Sequence, residues 1–223
     1  DVSHELRSPL ARLQAAVGLA RRRGGGSVDN EIDRIELETS RLDELIGQLL
    51  ALMRLESAAS LPQETVNLSA LCAAVTRDAQ FEAEARTVQV RADIAADLTL
   101  KGNADLLRSV FDNLLRNALR HAPPGTTVHL EASLDAVSRE RVISVCDEGP
   151  GVPESMLERI FEAFVRVDDA RSTEAGGTGL GLAIARQGVR AHGGSIVARN
   201  RGVGGLAVEV RLPEALALAQ PPR

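Results

Sequence analysis

Aromatic side chains are nearly absent: there is no Trp, no Tyr and only four Phe, 2% of the chain in all. Stacking surfaces for nucleobases are therefore scarce, and no basic excess compensates, because 31 acidic residues outnumber 26 Lys and Arg for a net charge of −5. Both counts argue against direct nucleic-acid binding. Cysteine is scarce too. Cys72 and Cys146 lie in apolar stretches with neither metal-like nor disulfide-framework spacing, so two buried thiols of a reducing compartment are expected, which points to the cytoplasm. Long apolar runs are missing: none approaches the ~20 residues that cross a bilayer. The chain begins at Asp1, without Met and only three residues before His4, too near for a helix to form around that histidine. A fragment of a longer protein is expected, with membrane contact only through missing upstream segments.

What is present suffices for real cores, since 44% of the 223 residues are hydrophobic. Leu6, Leu10, Leu13, Val17 and Ala20 recur at three-to-four spacing and end at Arg21-Arg22-Arg23, cations suited to a helix C-terminus. After Gly24-Gly25-Gly26-Ser27 the stripe resumes with Ile32, Ile35, Leu42, Leu45, Leu49 and Leu52, with Asp29 and Glu31 in the new first turn. Residues 1–56 thus read as an antiparallel helical hairpin. Such a hairpin cannot bury its stripe alone, and a second copy completes it as the four-helix bundle of a homodimer.

Residues 57–66 read as a linker, 67–213 as a second domain, and 214–223 as a tail without a stable signal. In the second domain the pattern predicts helices near 69–86, 105–121 and 178–192. Strands are predicted near 88–94, 127–134 and 141–146, then two more at the end. Gly193-Gly194 serves as a C-cap, and Leu206, Val208, Val210 and Leu212 alternate with Ala207, Glu209 and Arg211 in a half-buried strand. Helices over one face of a mixed sheet make an α/β sandwich.

Four groups of residues carry chemistry. In Ser3-His4-Glu5-Leu6-Arg7-Ser8-Pro9-Leu10, the imidazole of His4 is mostly neutral near pH 7, its ordinary pKa being ~6.5, and offers a lone pair to an electrophile. Glu5 is the matching carboxylate but must reach sideways, since neighbouring positions do not share a helix face; Ser8, four residues on, does share it. Pro9 removes a donor and bends the helix there. Further on, Asn113, Asn117 and His121 fall on one helical face with Arg120 beside them. Their amide oxygens are hard ligands suited to Mg2+, although the same residues also fit a plain polar face.

Asp147 ends an apolar strand ahead of Gly149 and Gly151, so its carboxylate projects where an adenine amino group could donate to it; a simple Asp-Gly turn is the alternative. The run Gly176-Gly177-Thr178-Gly179-Leu180-Gly181-Leu182 leads into a helix whose free N–H groups suit phosphates. It is neither the Walker pattern nor the dinucleotide fingerprint. Arg166 and Arg171 precede it, within reach of a terminal phosphate if that segment closes as a lid, or else solvated.

In this order the motifs resemble the catalytic core of the sensor histidine kinases of two-component signalling: a phosphoacceptor hairpin, then an ATP-binding domain of the gyrase, Hsp90, histidine kinase and MutL type. Ser3 to Leu10, Arg21 to Arg23, Phe81-Glu82-Ala83-Glu84 and Asp168-Asp169-Ala170-Arg171 are similar to the Cpx-type envelope-stress sensor kinases. The resemblance implies that His4 accepts the γ-phosphoryl group of ATP with help from Glu5. It implies Asn113 and Asn117 at Mg2+, Arg120 and Arg166 at phosphates, His121 against the adenine and Asp147 at its amino group. Ser8 would position water for dephosphorylation, where the family often has Thr or Asn, and His121 stands where many relatives have Tyr. A response regulator receiver domain is the implied partner, and the cytoplasmic portion of an inner-membrane sensor the implied setting.

A rival is an ATPase of the chaperone or mismatch-repair kind, whose members carry Glu where Asn113 stands. Asp112 is next door but rotated ~100° around the helix, so a hydrolytic base is missing. A third reading is a nucleotide-gated dimeric scaffold without enzymatic activity.

Overall fold

The computed structural model describes residues 63–167 and 178–214, together with Val17, Ile35, Thr39, Leu42, Ile46 and Gly47. The chain divides into two compact units, Asp1–Arg54 and Leu55–Arg223. In the first, all six described residues are helical. The hydroxyl of Thr39 donates to the carbonyl of Ile35 at 2.7 Å, a bond to the preceding turn that a hydroxyl makes only inside a helix.

In the second unit, β1 (Glu64–Asn67) leads into α1 (Leu68–Glu84), β2 (Gln89–Ile94) and β3 (Thr99–Gly102). Then come α2 (Ala104–His121), β4 (Thr127–Leu134), β5 (Arg141–Cys146), α3 (Gly181–Ala191), β6 (Ser195–Asn200) and β7 (Leu206–Leu212), with single 3-10 turns at Glu154–Met156 and Arg159–Phe161. Five strands form a sheet in the order β2-β4-β5-β7-β6, in which β2 runs parallel to β4 and the other pairs are antiparallel. β1 and β3 form a separate antiparallel pair, and β1 begins inside the stretch read as linker.

Alternation decides which face of the sheet is covered. On β7 Leu206, Val208, Val210 and Leu212 are buried while Ala207, Glu209 and Arg211 are partly exposed, and β4 and β5 repeat the pattern with Val128, Leu130, Ala132, Ile143 and Val145 inside. The three helices supply the other half of this core. α1 buries Leu68, Cys72, Val75, Ala79 and Ala83 at helical spacing, and α2 buries Val110, Phe111, Leu114, Leu115 and Leu119. Each fully buried Leu or Phe contributes about 1.5–3 kcal/mol. Helix starts are set by Asn67 and Asn103, whose side chains accept the N–H of Ala70 and Leu106, both at 2.9 Å. At the other end of α3, Gly193 adopts φ 67° and the N–H of Gly194 reaches back to Val189 at 3.0 Å, as its place after the last helical turn requires.

Two expectations change. The third helix starts at Gly181 rather than 178, because Gly179 takes the left-handed φ of 71° and turns the chain first. Of the two thiols only Cys72 is fully buried; Cys146 is half-buried, since the last residue of β5 points to the uncovered sheet face. Among the described residues no helix is long and apolar enough to cross a membrane.

Candidate functional site

α2 is the floor of the site. Asn113, Asn117 and His121 follow one another at four-residue steps along one face, with the two asparagines half-buried and His121 exposed at the last turn. Eight residues of helix separate Asn113 from His121, about 12 Å along the axis. Different loops close on the two ends.

At the Asn113 end stands the start of α3. A Cβ at Gly181 would fall 2.9 Å from Oδ1 of Asn113, so only glycine lets the two approach this closely. The amide of Asn113 is oriented: its Nδ2 donates to the carbonyl of Ser109 at 2.8 Å, with the Ser109 hydroxyl at 3.4 Å, and Oδ1 is left facing Gly181. Among the described residues no side chain caps α3, which leaves its first N–H groups without a side-chain cap. A hard cation fits the exposed amide oxygen, and an anion fits the helix start beside it. Close packing holds the two helices in this relation, since a Cβ at Gly188 would lie 2.5 Å from Val110.

At the His121 end the loop after β5 arrives. A Cβ at Gly149 would fall 2.6 Å from the carbonyl oxygen of His121, which brings Gly149 directly against the end of α2. Asp147 is 3% exposed, and its Oδ1 accepts the N–H of Gly149 at 2.8 Å and of Leu206 at 3.1 Å. Its second oxygen has no protein donor among the described residues. The site is therefore a slot with a carboxylate at one end and an amide oxygen beside an open helix start at the other.

Phe161 is buried, and Phe164, with φ 66°, donates its N–H to the carbonyl of Gly179 at 2.9 Å. A Cβ at Gly179 would meet the Phe164 backbone at 2.9 Å, so the phenylalanine segment and the glycine run are fitted to each other. Thr178 accepts the N–H of Leu180 at 3.3 Å, Leu180 is buried, and Arg166 is half-buried, next in sequence to Val165, whose carbonyl would lie 3.3 Å from a Cβ at Gly179. Arg120 is exposed on α2. Thus Asn113, Asn117, Arg120, His121, Asp147, Gly149, Gly151, Thr178, Gly179, Leu180 and Gly181 all belong to α2, to the loops around it or to the first residue of α3. His4, Glu5, Ser8, Arg171 and Gly177 lie outside the described residues.

Asp112, the carboxylate beside Asn113, is turned away from the slot. It lies 3.8 Å from Arg108 on the flank facing Asp78 and Glu82 of α1, and burial raises its pKa against the pull of Arg108 and Arg116. It offers no base to a water in the slot.

Sequence reasoning missed the residues that hold Asp147. Arg201 donates to its carbonyl, and Asn200 grips Val152 at the far end of the same loop. The pair Gly204-Gly205 signals a tight turn, but nothing in the sequence tells that this turn, which opens at Arg201 54 residues away, closes on Asp147.

Residues 102–216 match the family model described as Histidine kinase-, DNA gyrase B-, and HSP90-like ATPase, and residues 1–58 match the His Kinase A (phospho-acceptor) domain. The chain belongs to the sensor histidine kinases. It is 40% identical to the sensor histidine kinase CpxA of Escherichia coli K12 over 214 residues, 96% of this chain and 46% of that protein. With WalK of Bacillus subtilis it shares 33% identity, covering 96% of this chain and 36% of WalK. The chain therefore spans about half the length, or less, of the curated relatives it matches. Among solved structures, histidine kinase AdeS of Acinetobacter baumannii shares the fold, with a TM-score of 0.78 at 19% identity over 95% of this chain and 98% of AdeS. Full-length ShkA in complex with AMPPNP gives a TM-score of 0.71 at 28% identity over 97% of this chain and 45% of ShkA. Residues 102–216 are the ATP-binding domain of this family, and Asn113, Asp147 and Gly181 all lie within it.

Proposed function

We propose that this chain is the catalytic core of an ATP-dependent protein-histidine kinase that phosphorylates its own His4 and passes the phosphoryl group to an aspartate of a response regulator, which it also dephosphorylates. The observation that carries this is the slot along α2, with a buried carboxylate at one end and an amide oxygen against an uncapped helix start at the other. It suits a molecule with an aminopurine at one end and a chain of phosphates at the other. ShkA, 28% identical, has been solved with AMPPNP, an ATP analogue, which supports the same occupant here.

Asn113 and Asn117 would hold Mg2+, a fit supported by the exposed Oδ1 of Asn113 and by the neutrality of both ligands, which leaves the ion's charge to the phosphates. When bound, the ion neutralises charge on the transferring phosphoryl group. Arg120, Arg166 and Arg171 would hold phosphates, His121 would lie against the adenine, and the N–H groups of Gly177 through Gly181 would receive the phosphate chain. Oδ2 of Asp147 would accept the adenine amine. A ring nitrogen of His4 attacks the γ-phosphorus, the bond to the bridging β-γ oxygen breaks, ADP leaves, and Glu5 takes the proton from the other ring nitrogen. Ser8, one turn beyond His4, would align water when the regulator is dephosphorylated.

The hairpin of residues 1–56 would pair with a second copy as a homodimer, followed by the linker 57–66, the catalytic domain 67–213 and the tail 214–223. The receiver domain of a response regulator would be the partner; a complex of the histidine kinase ThkA with response regulator TrrA has this fold, with a TM-score of 0.79 at 21% identity. The core would form the cytoplasmic portion of an inner-membrane sensor protein.

Incubation with γ-labelled ATP tests the proposal. An acid-labile, base-stable adduct is expected, abolished by His4→Gln with nucleotide binding retained, whereas Asn117→Ala weakens binding itself. Undiminished labelling of the His4 variant overturns it.

A further inference from the structure

Oδ1 of Asp147 is taken by two backbone donors, so the aim of its other oxygen depends on how firmly the backbone from Asp147 to Val152 is held. The turn between β6 and β7 holds it at both ends. Arg201 donates through Nη1 to the Asp147 carbonyl, and the Asp147 N–H donates to the Leu206 carbonyl at 2.9 Å. Gly205, with φ 91°, presses so near that a Cβ there would fall 2.0 Å from the Asp147 carbonyl oxygen. Asn200 spends its whole amide on the other end. Its Oδ1 accepts the Val152 N–H at 2.9 Å, and its Nδ2 donates to the Val152 carbonyl at 2.7 Å and to Oε1 of Glu154 at 3.1 Å. A Cβ at Gly151 would lie 2.6 Å from that Oδ1, which closes the clamp.

We propose that Asn200 and Arg201 are positioning residues that set the selectivity of this slot for a 6-aminopurine over a 6-oxopurine nucleotide, an inference that rests on Asp147 being the base contact. A carboxylate oxygen accepts an exocyclic amine and repels a carbonyl oxygen, but the distinction depends on direction, because a hydrogen bond weakens steeply below ~120°. The side chains of the two residues are not needed to hold the sheet: the backbones of β6 and β7 are already joined over Ser195–Asn200 and Leu206–Arg211. Their polar groups go instead to the loop. The phosphate end, at Asn113 and Gly181, is built by α2 and α3. Loosening the clamp should therefore relax choice of base while leaving phosphate binding in place.

Calorimetric titration of the whole chain with ATP and with GTP, both with Mg2+, gives the affinity ratio that tests this. Arg201→Ala and Asn200→Ala are each expected to lower the ATP-to-GTP ratio about tenfold with a cooperative thermal transition retained, and Arg201→Lys, which keeps a donor for the Asp147 carbonyl, to restore most of it. An unchanged ratio in the two alanine variants, with the ratio collapsed by Asp147→Asn, overturns the clamp and leaves Asp147 as the base contact. A wild-type ratio near one that Asp147→Asn does not move overturns the base contact itself, and the clamp with it. Should Arg201→Ala lose its transition, Asn200→Ala and Arg201→Met, which keeps most of the aliphatic stem, decide: a wild-type ratio in them overturns the proposal.

Discussion

The backbone N–H of Asn103, the cap of α2, donates to Nε2 of His192, just past the end of α3, at 3.0 Å. Nδ1 of the same ring lies 2.7 Å from the carbonyl of Gly188, which it satisfies only as the N–H donor, so the neutral ring pairs at both nitrogens. The ring packs where a Cβ at Gly102 would lie 2.6 Å from it, and burial holds the His192 pKa below its ordinary 6.5 despite the Gly188 bond.

Acid should therefore weaken the catalytic domain through His192. Protonating Nε2 would set two donors against each other at the start of α2. Because the folded pKa lies below the unfolded one, this contribution is complete above about pH 6.5 and declines as the pH falls from there toward the folded value. Urea unfolding at about pH 5 and about pH 7.5 should show the loss. His192→Leu should cost about 1–3 kcal/mol at the higher pH, by removing the Nε2 acceptor of the Asn103 N–H, and should flatten the slope. Asp135, held below the usual carboxylate range by the N–H groups of Ser138 and Val137, adds an acid-sensitive contribution that begins to decline only near about pH 3.9, well below where the His192 decline begins. A slope unchanged by His192→Leu would assign the acid sensitivity elsewhere.

The two thiols should separate by reactivity. Cys72 is 0% exposed inside α1, and burial pushes its thiol up to about 12, so its thiolate is scarce and unreachable. Cys146 is half-buried on the uncovered sheet face, its Sγ 3.6 Å from the Ser144 hydroxyl. Iodoacetamide on native protein, read by peptide mass spectrometry, should modify Cys146 more than about tenfold faster than Cys72, with the difference vanishing in urea. Equal native rates would contradict the packing of α1.

The periodic elements were legible because one buried face imposes one period. Leu206 to Leu212 alternates and is β7; Leu106 to Leu119 repeats at three and four and is α2. β1 and β3 escaped because four residues are too few to display a period, and because what fixes them is a distant register, Val66 against Leu100. Along α2 the site was visible for the same reason as the helix, since a shared face follows from spacing alone. The clamp on Asp147 was not. Asn200 and Arg201 look like ordinary strand-end polar residues until the sheet order places β7 beside β5 and carries their turn onto the loop after Cys146. His192 was hidden likewise, its partner Asn103 lying 89 residues away.

Gly181 separates binding from folding. As the first residue of α3 it is a poor helix former, and alanine there would be favoured by up to about 1 kcal/mol on propensity alone. Yet its added Cβ would lie 2.9 Å from Oδ1 of Asn113, the oxygen assigned to the metal, and would crowd the helix start where phosphates are expected to rest. Asn113 yields to the Cβ only by giving up the Nδ2 bond to Ser109 at 2.8 Å, a loss of about 0.5–1.5 kcal/mol that the gain in helix propensity offsets. Gly181→Ala should therefore leave the thermal midpoint unchanged or slightly raised while weakening Mg-ATP binding at least about tenfold, or ~1.4 kcal/mol, by calorimetry. Ordinary destabilisation would instead lower the midpoint and the affinity together. Full affinity in this variant would move the phosphates away from Asn113 and the start of α3.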